Sequence, residues 1–209
     1  MTKALKDSES TIQHYESKAE YLATRYESAN VRLLQTKLLQ TLKYCNSILE
    51  LGCGSGRDAA FILKTLTPES ITITDGSDNM LTLAARIHPE LTPFLKRLEL
   101  PEDLRHEERT YDGIFSIATL MHLTNQGIME FLQETAGLLR TPGVLFVSVC
   151  TKREEQTEKD PRTFTLRNKQ WWINQFKKAG LNVTEAAEAA DGLNRNETIW
   201  LNITAEKQP

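Results

Sequence analysis

Three closely spaced glycines early in the chain, preceded by an acid, have the types and spacing to hold a nucleotide-like ligand. Residues 48–60 read ILELGCGSGRDAA, and the positions of interest are Glu50, Gly52, Gly54 and Gly56. A turn built on alternating glycines brings its backbone close to a ligand because no side chain intervenes. A dinucleotide fingerprint, G-x-G-x-x-G, would need its third glycine where Arg57 stands. The spacing therefore weakens the dinucleotide interpretation.

A second acid, Asp75, follows the apolar run ITIT. A carboxylate at the end of a second parallel strand can accept hydrogen bonds from both hydroxyls of a ribose. Asp is also common at the start of a helix, so a helix cap is the other interpretation of Asp75 taken alone. Together, the glycine turn and this acid suit one adenosine lying across the strand ends of a sheet. This combination favours S-adenosylmethionine over a dinucleotide.

Alternating strands and helices must position these residues. The apolar runs that predict strands are 47–51, 71–74, 93–97, 113–117, 144–150, 181–187 and 198–204. The stretches with helical spacing of apolar residues are 10–28, 31–44, 57–66, 78–86, 125–139 and 168–179. Such alternation predicts an α/β, Rossmann-like, doubly wound fold whose sheet is mostly parallel.

The two ends of the chain depart from this alternation. The first two helical stretches have no strand between them, and we expect them to cover the sheet or the cofactor. The last two strands flank the turn-like DGLNRN and predict an antiparallel hairpin that completes a seven-stranded sheet. The length of 209 residues suits a single domain over 1–209, with a helical cover over 1–44 and a core over 45–209.

The composition limits the partners. A net charge of -3 argues against a broad electrostatic grip on nucleic acid and favours a small or neutral substrate. The apolar runs are far shorter than the roughly 20 residues of a membrane-spanning helix, and the polar N-terminal sequence leads us to expect a cytoplasmic protein without membrane association. The four histidines lie far apart and no Cys or His pair has ligand spacing, so no metal is expected.

Four segments resemble the successive motifs of class I S-adenosylmethionine-dependent methyltransferases, in order: ILELGCGSGRDAAFIL, ITITDGSDNML, YDGIFSIATLMHL and LLRTPGVLFVSV. The resemblance covers most of the chain. The start YESKAEYLATRYE, the string GSGRDA and the ending AGLNVTEAAEAADGLNRNETIWLNITAEK are similar to small bacterial members that methylate small molecules. The resemblance implies a Rossmann-like fold, S-adenosylmethionine as cofactor and methyl transfer as the activity.

Carried over by position, the resemblance implies a cofactor site. The backbone of 52–54 would follow the methionine part and the ribose, Asp75 would bind the ribose hydroxyls, and 76–80 would border the adenine. Arg57 would pair with the methionine carboxylate, and a tyrosine of the first helix would close over the cofactor. The implied cofactor residues are Tyr15, Tyr21, Glu50, Gly52, Cys53, Gly54, Arg57, Asp75, Gly76, Ser77, Met80, Leu98, Glu99, Ser116 and Ala118.

One position departs from the family pattern. The family often has an Asp after the third strand that accepts the exocyclic amine of the adenine. Here the segment reads FLKRLELP, with Lys96 or Arg97 near that position. The backbone of Leu98 or the side chain of Glu99 would then take the adenine contact.

Two residues are candidates for catalysis, His122 and Tyr15. His122 follows the fourth strand, where a substrate would face the sulfonium, and could act as a general base; the alternative is a hydrogen bond within its own loop. Tyr15 and Tyr21 are six residues apart and do not share a helical face, so one of them is expected only to pack, and Tyr15 is favoured as the ligand.

Two further segments have a functional and a structural interpretation. Trp171 and Trp172 either shape an acceptor pocket or pack their helix, and packing is favoured. The charged run 152–160 is expected to be a solvated loop, although loops at strand ends often contact substrate.

The sequence thus predicts transfer of the sulfonium methyl to a small-molecule nucleophile, by a monomer or homodimer. The acceptor atom, O, N or S, stays open, and so does the need for a base. Two other functions remain: a methyltransferase that acts on a macromolecule, for which a basic surface beside 118–124 would argue, and a non-catalytic protein that binds S-adenosylmethionine.

Overall fold

The computed structural model describes residues 3–153 and 161–207, which form a seven-stranded sheet flanked by helices. The strands are β1 (Ser47–Leu51), β2 (Ser70–Asp75), β3 (Leu95–Arg97), β4 (Tyr111–Ile117), β5 (Leu139–Lys152), β6 (Leu181–Ala190) and β7 (Ile199–Lys207). The helices are α1 (Lys3–Glu27), α2 (Arg32–Leu42), α3 (Arg57–Leu66), α4 (Asp78–Ile87), α5 (Asn125–Leu138) and α6 (Lys169–Lys178). None of the helices in these ranges is long and apolar enough to cross a membrane.

The sheet has the strand order β3-β2-β1-β4-β5-β7-β6. Strands β1 to β5 run parallel, whereas β7 is antiparallel to both of its neighbours, β5 and β6. The strand order changes direction between β1 and β4, and ligands of open α/β sheets bind in the crevice at such a point. The predicted doubly wound fold with a C-terminal antiparallel hairpin is confirmed.

Both faces of the central strands are buried, which explains the near-continuous apolar strands of the sequence. β1 is buried at all five positions, and its side chains alternate between two apolar clusters. Ile48 belongs to the cluster that contains Leu38 of α2 and Ile62 of α3. Leu49 belongs to the cluster that contains Phe131 of α5 and Trp172 of α6. α2 and α3 therefore cover one face, and α5 and α6 cover the other.

The two N-terminal helices cover different parts of the molecule, a point that the sequence left open. α2 lies on the sheet, where Leu38 and Leu42 are fully buried. α1 instead lies against α4: Glu20 pairs with Arg86 at 2.6 Å, and the Asn79 amide donates to a carbonyl of α1 at 3.0 Å. α2 covers the sheet, and α1 remains to cover the strand ends.

Several strand boundaries differ from the predictions, and the starts of β3 and β5 show why. β3 begins at Leu95 instead of Pro93, because Pro89–Phe94 forms a 3-10 helix and a proline cannot donate to a strand ladder. β5 begins at Leu139 instead of Val144. Leu139 pairs with Tyr111 of β4, so the strand starts directly after α5.

Candidate active site

The glycine turn joins β1 to α3 and presents bare backbone to the crevice. Its three glycines have φ values of +82°, +55° and +83°. Residues other than glycine rarely adopt such φ values. The amides of Gly52 and Cys53 donate to the carbonyl of Thr74 at 2.9 and 2.8 Å. A Cβ atom at Gly52 would lie 2.2 Å from the Thr119 hydroxyl. No side chain fits at this position, so the backbone of the turn stays open to a ligand.

Asp75 lies beside the glycine turn, with each of its carboxylate oxygens held by a backbone amide. Oδ2 accepts from Gly54 at 2.8 Å, and Oδ1 accepts from Ser77 at 2.9 Å. Burial raises the pKa of Asp75, although these amides act to lower it. The cap of α4 is Ser77, whose hydroxyl accepts from Met80, so the helix-cap interpretation of Asp75 is wrong. Both carboxylate oxygens keep lone pairs for further donors, as two ribose hydroxyls would require.

Glu50 is a buried acid with an unsatisfied oxygen. The residue is 2% exposed, and its Oε2 has no hydrogen-bond partner among the residues that the structure describes. Burial, with the carboxylates of Asp58 and Asp75 nearby, raises the pKa of Glu50 well above its usual value, despite the opposing charge of Arg57. A buried polar atom without a partner costs free energy. The position is therefore suited to a donor or a cation supplied by a ligand.

Arg57 is engaged by protein groups. Its guanidinium pairs with Asp58 at 2.6 Å and donates to the carbonyl of Tyr26 at 2.6 Å. Two residues before Arg57, Ser55 makes a similar link to Glu27, in which the serine hydroxyl donates to the carboxylate at 2.6 Å. These bonds attach the C-terminal end of α1 to the glycine turn. A pairing of Arg57 with a cofactor carboxylate would have to replace them.

A cavity of about 990 Å³ opens over the glycine turn, beneath α1. Its volume is near the upper end for small-molecule sites, which leaves space for a second molecule beside a nucleoside-sized ligand. The predicted cofactor residues that line the cavity are Tyr15, Glu50, Gly52, Cys53, Gly54, Arg57, Asp75, Gly76, Ser77, Leu98 and Ala118. Of the two alternatives for the adenine amine, only Leu98 is in the wall.

The other predicted cofactor residues lie outside the cavity wall. Tyr21 is 63% exposed on α1, and Met80 is fully buried between α1 and α4. Ser116 is buried and donates its hydroxyl to a carbonyl of β1 at 2.7 Å. Glu99 pairs with Arg97 at 3.3 Å. The structure thus places these four residues behind or beside the site.

The two candidate catalytic residues form a hydrogen-bonded pair in the cavity wall. The Tyr15 hydroxyl lies 3.0 Å from Nε2 of His122, and Nδ1 of this histidine lies 2.8 Å from the carbonyl oxygen of Thr163. A carbonyl oxygen only accepts, so Nδ1 of the neutral imidazole carries the proton and Nε2 offers its lone pair to Tyr15. His122 therefore does not satisfy itself within its own loop. It connects α1 to a segment some forty residues further along the chain.

Tyr26 is a cavity residue that the sequence reasoning missed. It lines the cavity, and its ring would lie 3.6 Å from a Cβ atom at Gly54. Burial and the neighbouring hydroxyl of Tyr15 raise the pKa of Tyr26 well above its usual value, which keeps it protonated. Thr11, Tyr15 and Leu22 line the same wall. The spacing 11, 15, 22, 26 is a helical stripe, and that signal was present in the sequence.

Phe164 and two arginines complete the wall near His122. The Phe164 ring lies edge-on to His122, with 4.7 Å between centroids. The guanidinium carbons of Arg153 and Arg162 lie 3.7 and 5.2 Å from the centre of the same ring. No periodic pattern marks these residues. Of the charged run predicted as a loop, residues 154–160 lie outside the described residues.

The structure also bears on the tryptophan pair and on metal binding. Trp172 is fully buried in the α5 and α6 cluster, and Trp171 packs against that cluster, so both pack their helix as the favoured interpretation had it. Within 3–153 and 161–207, no group of three His, Cys, Asp or Glu side chains is arranged to hold a metal ion.

Comparisons with known proteins agree with this geometry. Residues 48–143 match a family model described as a methyltransferase domain. No curated protein matches the chain by sequence. Among solved structures, the chain is similar to Burkholderia thailandensis 1,6-didemethyltoxoflavin-N1-methyltransferase with bound 1,6-didemethyltoxoflavin and S-adenosylhomocysteine. The TM-score is 0.78 at 16% identity, over 100% of this chain and 92% of the other.

Two further structures show the range of this fold. The chain is similar to the N-methyltransferase NodS from Bradyrhizobium japonicum WM9 in complex with S-adenosylhomocysteine, with a TM-score of 0.64 and 14% identity over 85% of this chain and 87% of the other. It is also similar to the [4+2]-cyclase SpnF, with a TM-score of 0.74 and 14% identity over 94% of each chain. At such identities the likeness establishes the fold alone.

Residues 48–143 thus match a methyltransferase domain, and the chain has the fold of methyltransferases whose structures contain S-adenosylhomocysteine, in agreement with the sequence resemblance. The domain match covers the glycine turn, Asp75 and the region after β4.

Proposed function

We propose that the protein uses S-adenosylmethionine to methylate a small molecule bound beneath α1. The observation that carries this proposal is the cavity, which is continuous from the glycine turn and Asp75 to Tyr15 and His122. α1 lies over both ends, so a cofactor and an acceptor would share one cavity. A shared cavity aligns the two reactants, which is most of what this reaction needs from a protein.

The residues present fit the cofactor. When bound, S-adenosylmethionine supplies a methyl group already activated on a sulfonium. Asp75 would accept the ribose hydroxyls, and the unsatisfied Oε2 of Glu50 would accept from the ammonium group of the methionine part. The open backbone of 52–54 would follow the ribose and the methionine chain, and the backbone of Leu98 would meet the adenine.

The surroundings of the acceptor end favour a small molecule over a macromolecule. The segment beside the strand end, 120–123, is buried, with each residue at most 8% exposed. The guanidinium groups of Arg153 and Arg162 belong to the cavity wall, against Phe164. Among the described residues, 120–123 expose no basic side chain to a macromolecule, whereas a small acceptor fits inside the wall.

Tyr15 and His122 would handle the proton of a protic acceptor. A hydroxyl or N–H group beside Tyr15 would pass its proton to the tyrosine oxygen while Tyr15 passes its own proton to Nε2 of His122. The carbonyl of Thr163 would then hold the Nδ1 proton of the imidazolium. An acceptor that is already an anion or a thiolate would need no such base.

The proposal is tested with S-adenosylmethionine labelled in its methyl group and an extract of small metabolites. Wild-type protein is expected to transfer the label to a species below 1 kDa or so, identified by mass spectrometry, and Asp75→Ala is expected to abolish the transfer. Calorimetry with S-adenosylhomocysteine runs in parallel. Absence of binding would refute the cofactor site. In a second reaction with whole-cell extract, label found in protein or RNA instead of a small species would refute the small-molecule acceptor.

A second candidate is a protein that binds S-adenosylmethionine without transferring its methyl group. The similarity to a [4+2]-cyclase shows that this fold also carries other chemistry. Tight binding of S-adenosylhomocysteine combined with no labelled product from any extract would favour this candidate.

A further inference from the structure

The cavity continues past the glycine turn across β5 and β7. We name this part the Asn202 lobe, and its walls include Ser148, Cys150, Trp200 and Asn202 of the sheet and Leu34 and Gln40 of α2. In the strand register Ser148 lies opposite Asn202, and Cys150 lies opposite Trp200. Directly opposed residues project to the same face of a sheet, and so do residues two apart. The four sheet residues therefore form one surface beneath α2.

The lobe contains an unsatisfied acceptor. Oδ1 of Asn202 is buried and has no hydrogen-bond partner among the described residues. Leaving such an amide oxygen without a donor costs about 1–3 kcal/mol, and central strands of a sheet rarely carry this cost without a reason. Asn202 itself lines the cavity, so a rotation of its amide group would bring this oxygen to a ligand that supplies the missing donor.

Trp200 gives the lobe a rigid aromatic wall. Its indole N–H donates to Asp191 at 2.9 Å, and Asp191 is also bound by the guanidinium of Arg195. Although burial acts to raise it, these bonds hold the pKa of Asp191 well below its usual value. The Asp191 carboxylate thus stays ionised. Its hydrogen bond with the indole N–H holds the orientation of the Trp200 ring.

The charges of the lobe disfavour an anionic ligand. Of its carboxylates, Asp58 and Asp191 are paired with Arg57 and Arg195, and Glu188 is the third. Lys37, the lysine of this wall, is paired with Glu185 at 2.6 Å, and Arg195 is paired with Asp191. Acceptor oxygens and acids together select a molecule that donates hydrogen bonds, as an amide or amino N–H does, and oppose a carboxylate or phosphate.

The lobe is close enough to the reacting position to hold the far end of an acceptor. The amide of Ala118, at the end of β4, donates to the carbonyl of Ser148 at 2.9 Å. Neighbouring strands lie about 4.8 Å apart, so Asn202 on β7 is two strands, about 10 Å, from the end of β4. A molecule the size of two fused rings spans this distance.

We infer that the Asn202 lobe is the recognition site for the methyl acceptor, and that the acceptor is an uncharged, N–H-donating molecule bound through Asn202 against Trp200. This inference rests on the proposed function. It adds the chemical class of the acceptor and the residue that selects it.

The test uses isotopically labelled protein saturated with S-adenosylhomocysteine and two probes, 2-pyrrolidinone and γ-butyrolactone. The two rings share their shape, but only the first has an N–H donor. NMR titration is expected to shift the Asn202 amide and Trp200 indole signals, with the first probe binding about tenfold more tightly, the worth of one good hydrogen bond. In Asn202→Leu this preference is expected to disappear.

Asn182→Leu is the matched control, because Asn182 is exposed on the neighbouring strand β6 and should keep the preference. Equal binding of the two probes, binding elsewhere, no binding, or an unchanged preference in Asn202→Leu would overturn the inference. Unaltered affinity for S-adenosylhomocysteine shows that Asn202→Leu is folded. If wild-type protein fails to bind S-adenosylhomocysteine, the proposed function itself fails; if it binds but the probes do not discriminate, only this inference fails.

Discussion

The two ends of the cavity are built differently. The proposed cofactor end is made mostly of one short stretch of chain, from Glu50 to Ser77, with Leu98 added, and the parts of this stretch bond to each other through Thr74 and Asp75. The acceptor end gathers residues from α1, the region after β4, the segment 161–167 and the last two strands. A ligand shared by a whole class is bound by a local motif, whereas the substrate that distinguishes one member is bound by residues distant in sequence.

The largest effect is expected from Asp75→Ala, which tests whether the cofactor end acts alone. Removing a carboxylate that accepts two ribose hydroxyls should weaken S-adenosylhomocysteine binding by about 100-fold, since hydrogen bonds to charged groups contribute about 1.5–3 kcal/mol each. Calorimetry measures the affinity. Asp75 also holds the amides of Gly54 and Ser77, so Asp75→Asn provides a milder variant.

Asp78→Ala is the matched control for this prediction. Asp78 lies three residues further on, with its side chain 73% exposed, and its removal should leave the affinity unchanged. Equal losses in both variants would contradict the assignment of Asp75.

Tyr15→Phe tests the acceptor end. If Tyr15 relays a proton to His122, methyl transfer to a protic acceptor should slow by about 10 to 100-fold, while affinity for S-adenosylhomocysteine changes little. Tyr21→Phe, on the exposed side of the same helix, should behave as wild type. Rates measured against pH decide the role: a base that acts in the reaction shifts the profile, whereas a packing residue lowers the rate evenly at every pH.

Glu50→Gln is expected to change both the affinity for S-adenosylhomocysteine and the stability of the fold. Loss of a charged acceptor should weaken S-adenosylhomocysteine binding about tenfold. Because the pKa of Glu50 is raised in the folded protein, the wild type loses stability as the pH rises from the ordinary Glu value through this raised pKa. The variant lacks this loss, so at neutral pH it should be more stable by about 1 kcal/mol, as measured by denaturant unfolding.

The exposed Glu69→Gln should show neither effect. Cofactor binding should also weaken on acidification at pH values above those of ordinary carboxylates, since Asp75 and Glu50 both have raised pKa values. A binding affinity independent of pH down to the ordinary Asp range would contradict this.

Met80→Leu is expected to have the smallest effect and defines where the cofactor end stops. Met80 is buried against α1 and does not line the cavity. A volume-conserving change should cost less than about 1.5 kcal/mol of stability and leave S-adenosylhomocysteine affinity within about twofold. A tenfold loss of affinity would instead support a contact between Met80 and the cofactor, as the sequence resemblance implied.

The sequence predicted the parts that depend on local pattern. Burial on both faces made the strands apolar, and bare backbone required the glycines at 52 and 54, so the fold and the cofactor end could be recognised. Tyr26 was missed although its helical spacing from Tyr15 was visible. Phe164 and Asn202 carry no such pattern, because only the tertiary fold brings them together, and the bonds that engage Arg57 depend on where α1 ends.

One structural feature also bears on kinetics. α1 is bonded to the glycine turn through Glu27 and to the acceptor end through Tyr15, and a further bond joins Thr11 to Thr163 at 3.2 Å. We expect a helix fastened above both ligands to slow their exchange. Turnover would then be paced by product release: a rapid-mixing experiment would show a burst of one methylated product per active site, followed by a slower phase that responds to solvent viscosity.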